Sequence, residues 1–240
     1  MFSRTALAKM IDHSLLRPDA TEEEVIRHCE EAKEYHFACV MLLPAWLNMA
    51  KKRLRGSDVK LGTVIAFPFG MIPTSCKVFE ARQAIGMGAS EMDIVVNLGA
   101  VKSANCAQVH RDLEEVVTVA ELSGLTEDGH DVLTKVILEV GLTTREEQER
   151  VCRIAEEVRA DFIKTCTGMG PRPVVVEDVR HLRHCVSQNM GIKASGGIRT
   201  VEQAMTLINA GANRIGTSTG TAIVNSFDKY QEILAEELNR

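Results

Sequence analysis

Two hydrophobic rhythms alternate along this chain. Eight short runs rich in apolar and β-branched residues read as strands: Met10–Leu15, Phe37–Leu43, Lys60–Phe67, Glu91–Asn97, Lys135–Val140, Asp161–Thr165, Gly191–Ala194 and Arg214–Thr217. After each comes a stretch with helical spacing: Thr21–Tyr35, Pro44–Leu54, Thr74–Met87, Ala107–Leu122, Thr144–Val158, Val176–Gln188, Thr200–Ala210 and Thr221–Leu238. Thr21 leads Glu22, Glu23 and Glu24, and Thr144 leads Glu146 and Glu147. A capping hydroxyl followed by acids suits the positive end of a helix. Gly86, Gly88, Gly124 and Gly211 stand near helix ends.

Strands that alternate with helices need crossover connections, so the sheet is parallel. Eight such units predict closure into a (β/α)8 TIM barrel, one domain over residues 1–240. A doubly wound open sheet is the rival arrangement.

Period-two reading then separates the strand faces. Met92, Ile94 and Val96 oppose Glu91, Asp93, Val95 and Asn97. Val136, Leu138 and Val140 oppose Lys135, Ile137 and Glu139. Phe162, Lys164 and Cys166 share a face, as do Lys193 and Ser195. Uniformly apolar faces should meet the helices, which turns Asp93, Glu139, Lys164 and Lys193 into the barrel. Buried charges must pair or shift their pKa values. A structural ion-pair layer is one reading. Position favours chemistry, because barrel active sites lie at the C-terminal strand ends.

A free lysine is protonated at neutral pH and is no nucleophile. Burial and a second cation both lower its pKa. Two inward lysines on neighbouring strands supply that second effect for each other, and Asp93 can pass protons. Such parts describe imine chemistry: aldol cleavage, transaldol transfer or dehydration. Ser195-Gly196-Gly197 and Gly216-Thr217-Ser218-Thr219-Gly220 each precede a helix after the last two strands, where such barrels bind phosphate. Arg172 and Arg199 are possible helpers.

Composition narrows the field. Apolar residues make up 45% and charged residues 25%, ordinary for a globular chain with a sizeable core. A net charge of −5 leaves no basic footprint for nucleic acid. No apolar run is long enough to span a membrane, and the start lacks the apolar stretch of a secretory signal. Seven scattered cysteines without a CxxC pair argue against a disulfide framework or a zinc site and suit a reducing cytoplasm. The seven histidines offer no convergent set on strand ends. His181 and His184 fall on an outer helix, where solvation is their expected role. No metal and no cofactor is expected.

The motifs IDHSLL at 11–16, GTVIAFPFG at 62–70, EMDIVVNLGAVKS at 91–103, KVILEVGLTTREE at 135–147, ADFIKTCTG at 160–168, IKASGGIRT at 192–200 and AGANRIGTSTG at 210–220 follow in order. With them the chain resembles the deoxyribose-phosphate aldolase family, class I aldolases that use no metal. The resemblance implies that Lys164 forms the imine, Lys193 depresses its pKa, and Asp93 relays protons. It implies that Asp12, Thr167, Gly196, Gly197, Gly216 and Ser218 bind substrate, the last four through its phosphate. The implied reaction is reversible cleavage of 2-deoxyribose 5-phosphate to glyceraldehyde 3-phosphate and acetaldehyde, by a homo-oligomer, dimer or tetramer. Departures from the family pattern are Ser14, Leu43, Ala66, Cys166 and the segment Met169–Val175. They leave open a related Schiff-base lyase with another aldehyde. A barrel that binds a phosphorylated ligand without catalysis is a third reading.

Overall fold

A computed structural model describes residues 2–126, 129 and 131–238. The chain runs α1 (Arg4–Ala8), β1 (Ile11–Leu15), α2 (Glu22–Tyr35), β2 (Cys39–Leu42), a 3-10 turn at Pro44–Trp46, α3 (Leu47–Leu54), β3 (Lys60–Ile65), α4 (Thr74–Gly86) and β4 (Glu91–Val95). It continues with α5 (Leu98–Lys102), α6 (Cys106–Leu122), β5 (Leu133–Ile137), α7 (Arg145–Glu157), β6 (Phe162–Lys164) and α8 (Val176–Cys185). The last elements are β7 (Gly191–Ser195), α9 (Val201–Asn209), β8 (Arg214–Thr217), α10 (Gly220–Asn225) and α11 (Phe227–Leu238). All eight strands pair in parallel, in sequence order, and β8 closes on β1. The barrel therefore holds, and the open sheet does not.

Local sequence explains most boundaries. Thr21 and Thr144 form reciprocal capping boxes with Glu24 and Glu147. Gly88, Gly124 and Gly211 take positive φ beyond α4, α6 and α9, while Gly86 stays inside α4. Several strands end earlier than their apolar runs. β5 spans Leu133–Ile137 rather than Lys135–Val140, because Glu139 has a φ of 52° and breaks the extended chain. The final helical stretch divides at Ser226, with α10 before it and α11 after it.

The main apolar core lies between strands and helices. Met92, Ile94, Val96, Val136, Leu138 and Val140 all belong to it, on the faces that parity assigned. Burial of this shell, at about 25 cal/mol per Å² of apolar surface, holds the barrel inside its helices. A second, smaller cluster of Cys39, Met41 and Val64 has Leu16, Leu43 and Phe67 packed against it. Among the described residues no helix is long and apolar enough to cross a membrane.

Candidate active site

Strand register sets what faces inward. Neighbours in register on parallel strands point to the same side, which links Asp12 with Cys39, Met41 with Gly62, Val64 with Asp93, and Asp93 with Lys135. The same ladder joins Ile137 to Lys164, Lys164 to Lys193, and Lys193 to Arg214. The interior thus has two halves. Cys39, Met41 and Val64 make the β2–β3 side apolar. On the other strands Asp12, Glu91, Asp93, Lys135, Lys164, Lys193 and Arg214 bring charge inside, beside the apolar Ile137.

Asp93 is the hub. Its Oδ2 accepts hydrogen bonds from Lys164 Nζ at 2.8 Å and from Lys193 Nζ at 2.7 Å. Its Oδ1 lies 3.0 Å from Lys135 Nζ. Lys135 also donates to Glu91 Oε2 at 2.6 Å. Asp12 pairs with Lys193 through Oδ2 and accepts from Arg214 Nη1 at 2.6 Å through Oδ1. Arg214 reaches Glu91 as well, at 3.2 Å. Gly216 makes room for the assembly: a Cβ there would stand 3.0 Å from Lys193 Cε.

The charges of this network do not balance. Lys135, Lys164, Lys193 and Arg214 are four cations, facing three carboxylates, Asp12, Glu91 and Asp93. Neutralising one lysine removes the surplus, and Lys164 is the one so disposed. Burial, reinforced by the ammonium groups of Lys193 and Lys135, outweighs the pull of Asp93 and brings its pKa down to about 8. Burial alone would raise the Asp93 pKa, but Lys135, Lys164 and Lys193 together hold it well below the usual carboxylate range. Asp12 behaves likewise: Arg214, Lys193 and Lys135 outweigh burial and bring it to about 2. Lys135 goes the other way, with Asp93, Glu91 and Asp12 outweighing burial and keeping it charged. Position agrees, since Lys164 is the last residue of β6, at the mouth, and retains 2% exposure.

Other predicted residues lie around the mouth. Gly196 and Gly197 follow β7 with φ of 104° and 78°. Their missing side chains admit the β6 loop: a Cβ on Gly196 would meet Cys166, and one on Gly197 would meet Pro173 at 2.7 Å. Val174 N–H donates to Gly196 O across that contact. Ser218 is exposed at the end of β8. Thr167 is buried, and its N–H and hydroxyl both donate to Glu139 Oε2.

That last contact corrects one expectation. Glu139 does not join the lysines. It lies beyond the end of β5 and holds the β6 loop through Thr167, with Gly170 packed against its carboxylate. Arg172 is also committed elsewhere. Its guanidinium grips Asp178 at 2.6 and 3.0 Å and donates to Val140 O, so it fastens the Met169–Val175 segment to α8. Ala66, where the family pattern has glycine, keeps a φ of 55°. The backbone thus preserves the left-handed turn, at a cost on the order of 1 kcal/mol. Leu43 joins the apolar cluster of the β2–β3 side.

Lys135, Glu91 and Arg214 were missed as network members. A signal for two of them was present, since Lys135 shares its strand face with Ile137 and Glu91 shares its face with Asp93. Only the closed barrel brings Arg214 of β8 to Glu91 of β4.

A closed parallel barrel with a buried amine at its C-terminal mouth, between a carboxylate and further cations, defines the class as a barrel aldolase. Comparison with known proteins then places the chain more narrowly. A family model for DeoC/LacD family aldolases matches residues 6–226. A deoxyribose-phosphate aldolase from Thermococcus gammatolerans is 49% identical over 220 residues, covering 91% of this chain and 95% of the relative. One from a Thermoanaerobacter species is 46% identical over 225 residues, covering 94% and 98%. The tetrameric deoxyribose phosphate aldolase of Aeropyrum pernix superposes with a TM-score of 0.85 at 34% identity, covering 94% of this chain and 92% of that one. The chain belongs to the DeoC/LacD aldolase family, and it is an aldehyde-lyase.

Proposed function

We propose that this protein, acting as one barrel domain, reversibly cleaves 2-deoxy-D-ribose 5-phosphate to D-glyceraldehyde 3-phosphate and acetaldehyde. The observation that carries the reading is the surplus buried amine of Lys164, 2.8 Å from Asp93 and beside Lys193. Neutral Lys164 attacks the C1 aldehyde of the open-chain sugar, and loss of water gives the protonated imine. The C3 hydroxyl then gives up its proton as the C2–C3 bond breaks. The bonding pair flows into the imine, and glyceraldehyde 3-phosphate leaves. Protonation of the enamine at C2 and addition of water release acetaldehyde and restore the amine. Asp93, bonded to both lysines, relays protons through water, and Lys193 stays charged to keep Lys164 neutral.

Asp12 and Thr167 contribute to substrate binding, and Gly196, Gly197, Gly216 and Ser218 to phosphate binding, at the ends of β7 and β8. The relatives' name and the Aeropyrum pernix tetramer support both this substrate and a homo-oligomer, dimer or tetramer. The scattered, unpaired cysteines support a cytoplasmic setting.

Incubation with acetaldehyde and borohydride should add a two-carbon reduced adduct at Lys164, found by peptide mass. No adduct at Lys164, under conditions that label a known imine enzyme, would sink the proposal. Leu43 in the apolar cluster and the Arg172-pinned loop favour a second reading, a related lyase with another aldehyde. Efficient turnover of deoxyribose phosphate in a substrate panel excludes that version.

A further inference from the structure

Far from the lysines, α7 and α8 bring together three side chains that linear spacing conceals. His181 and Cys185 stand four residues apart on α8, on one face of that helix. Glu149 projects from α7 towards them, and one ligand atom from each residue lies within 4.8 Å of the other two. Cys185 Sγ is 3.4 Å from His181 Nε2. Zinc bound tetrahedrally, with a metal–sulfur bond of about 2.3 Å and a metal–nitrogen bond of about 2.0 Å, separates those two ligand atoms by about 3.5 Å. The α8 pair is therefore spaced for chelation before any ion arrives. Glu149 is exposed on the facing helix and offers the third ligand atom.

We propose that Glu149, His181 and Cys185 form a site for a borderline-soft divalent cation such as zinc, with water as fourth ligand, clamping α7 to α8 on the outside of the barrel. The expectation of no metal rested on strand ends and on cysteine spacing. This site lies on two outer helices and pairs His181 with Cys185 rather than with His184. It takes no part in the imine chemistry.

The test uses the full-length protein, reduced and stripped with a chelator, with the exposed Cys76 and Cys106 replaced by alanine to silence adventitious thiols. Titration with zinc should show one equivalent bound per chain and a raised melting temperature. Cobalt should give the near-ultraviolet charge-transfer band of a thiolate ligand. Cys185→Ser should abolish that band, and Cys185→Ser and His181→Ala should each weaken zinc binding at least tenfold while leaving metal-free melting and aldolase activity unchanged. Glu149→Gln should weaken it less. Absence of stoichiometric binding, or full affinity and an intact cobalt band in both the Cys185 and His181 variants, overturns the proposal.

Discussion

Two buried lysines on either side of the barrel wall behave differently. Lys77, on α4 outside the strands, is fully buried against Asp112 of α6. It also donates to Val95 O at 2.9 Å, and Thr74 completes the carboxylate at 3.0 Å. Lys164, inside the strands, is almost as buried but shares the Asp93 carboxylate with Lys193 and Lys135. Burial lowers the pKa of both. Lys77 has one carboxylate to itself and faces no second ammonium in its pair, so its charge is matched. Lys164 is the cation for which no carboxylate is left. Burial alone therefore does not mark a reactive lysine; the local charge count does.

The largest expected effect tests that count directly. Lys164→Met should cut aldol cleavage on the order of 10⁴-fold or more, by loss of the nucleophile. Because it removes a surplus cation, it should leave thermal stability unchanged or raise it. Linkage sharpens this. The folded-state pKa of Lys164, about 8, lies below its ordinary value of 10.5, so across that window the unfolded chain holds the extra proton. Its presence costs stability below pH 8, and that cost fades as pH rises through the window. The stability gain of Lys164→Met should accordingly shrink from pH 7 to pH 10. Melts showing a loss instead would break the comparison.

Lys193→Met should slow turnover at pH 7 by about 10–10²-fold, because a larger share of Lys164 stays protonated. It removes the first cation that depresses Lys164. Imine formation, which should rise through pH 8 and level off in the parent, should have its inflection moved upward in the variant. An unmoved inflection would mean that Lys193 does not help set the Lys164 pKa, leaving burial and Lys135.

Lys77→Met should cost about 3–5 kcal/mol in denaturant melts, since it strands Asp112 in the core. The rate per folded molecule should not change. The smallest effect belongs to Lys77→Met with Asp112→Leu, which should recover most of that loss and end within about 1.5 kcal/mol of the parent. Failure of the double variant to recover would show that the pair does more than satisfy its own charges.

Much of the site was legible in the chain. Lys164, Lys193 and Asp93 emerged from strand parity, because an apolar opposite face leaves a charged side chain only the barrel interior. Glu139 obeyed the same parity yet left the network, since its left-handed backbone ends the alternation before its side chain is placed. Lys135 and Glu91 stood on the correct faces without being counted, because parity gives direction but not reach. Cys185 and His181 were separated by the same limit: cysteine spacing along the chain says nothing of a glutamate on the neighbouring helix.

The order of elements, the parallel sheet, the inward lysines and the family were determined by the sequence alone, through hydrophobic period, capping residues and ordered motifs. Tertiary structure alone decided the charge count. Coulomb energy depends on distances of a few ångströms, and those are set by register and barrel closure, which join β4 to β8 across more than a hundred residues of chain. Closure brings Arg214 to Glu91 and Asp12 and leaves Lys164 as the amine without a carboxylate of its own.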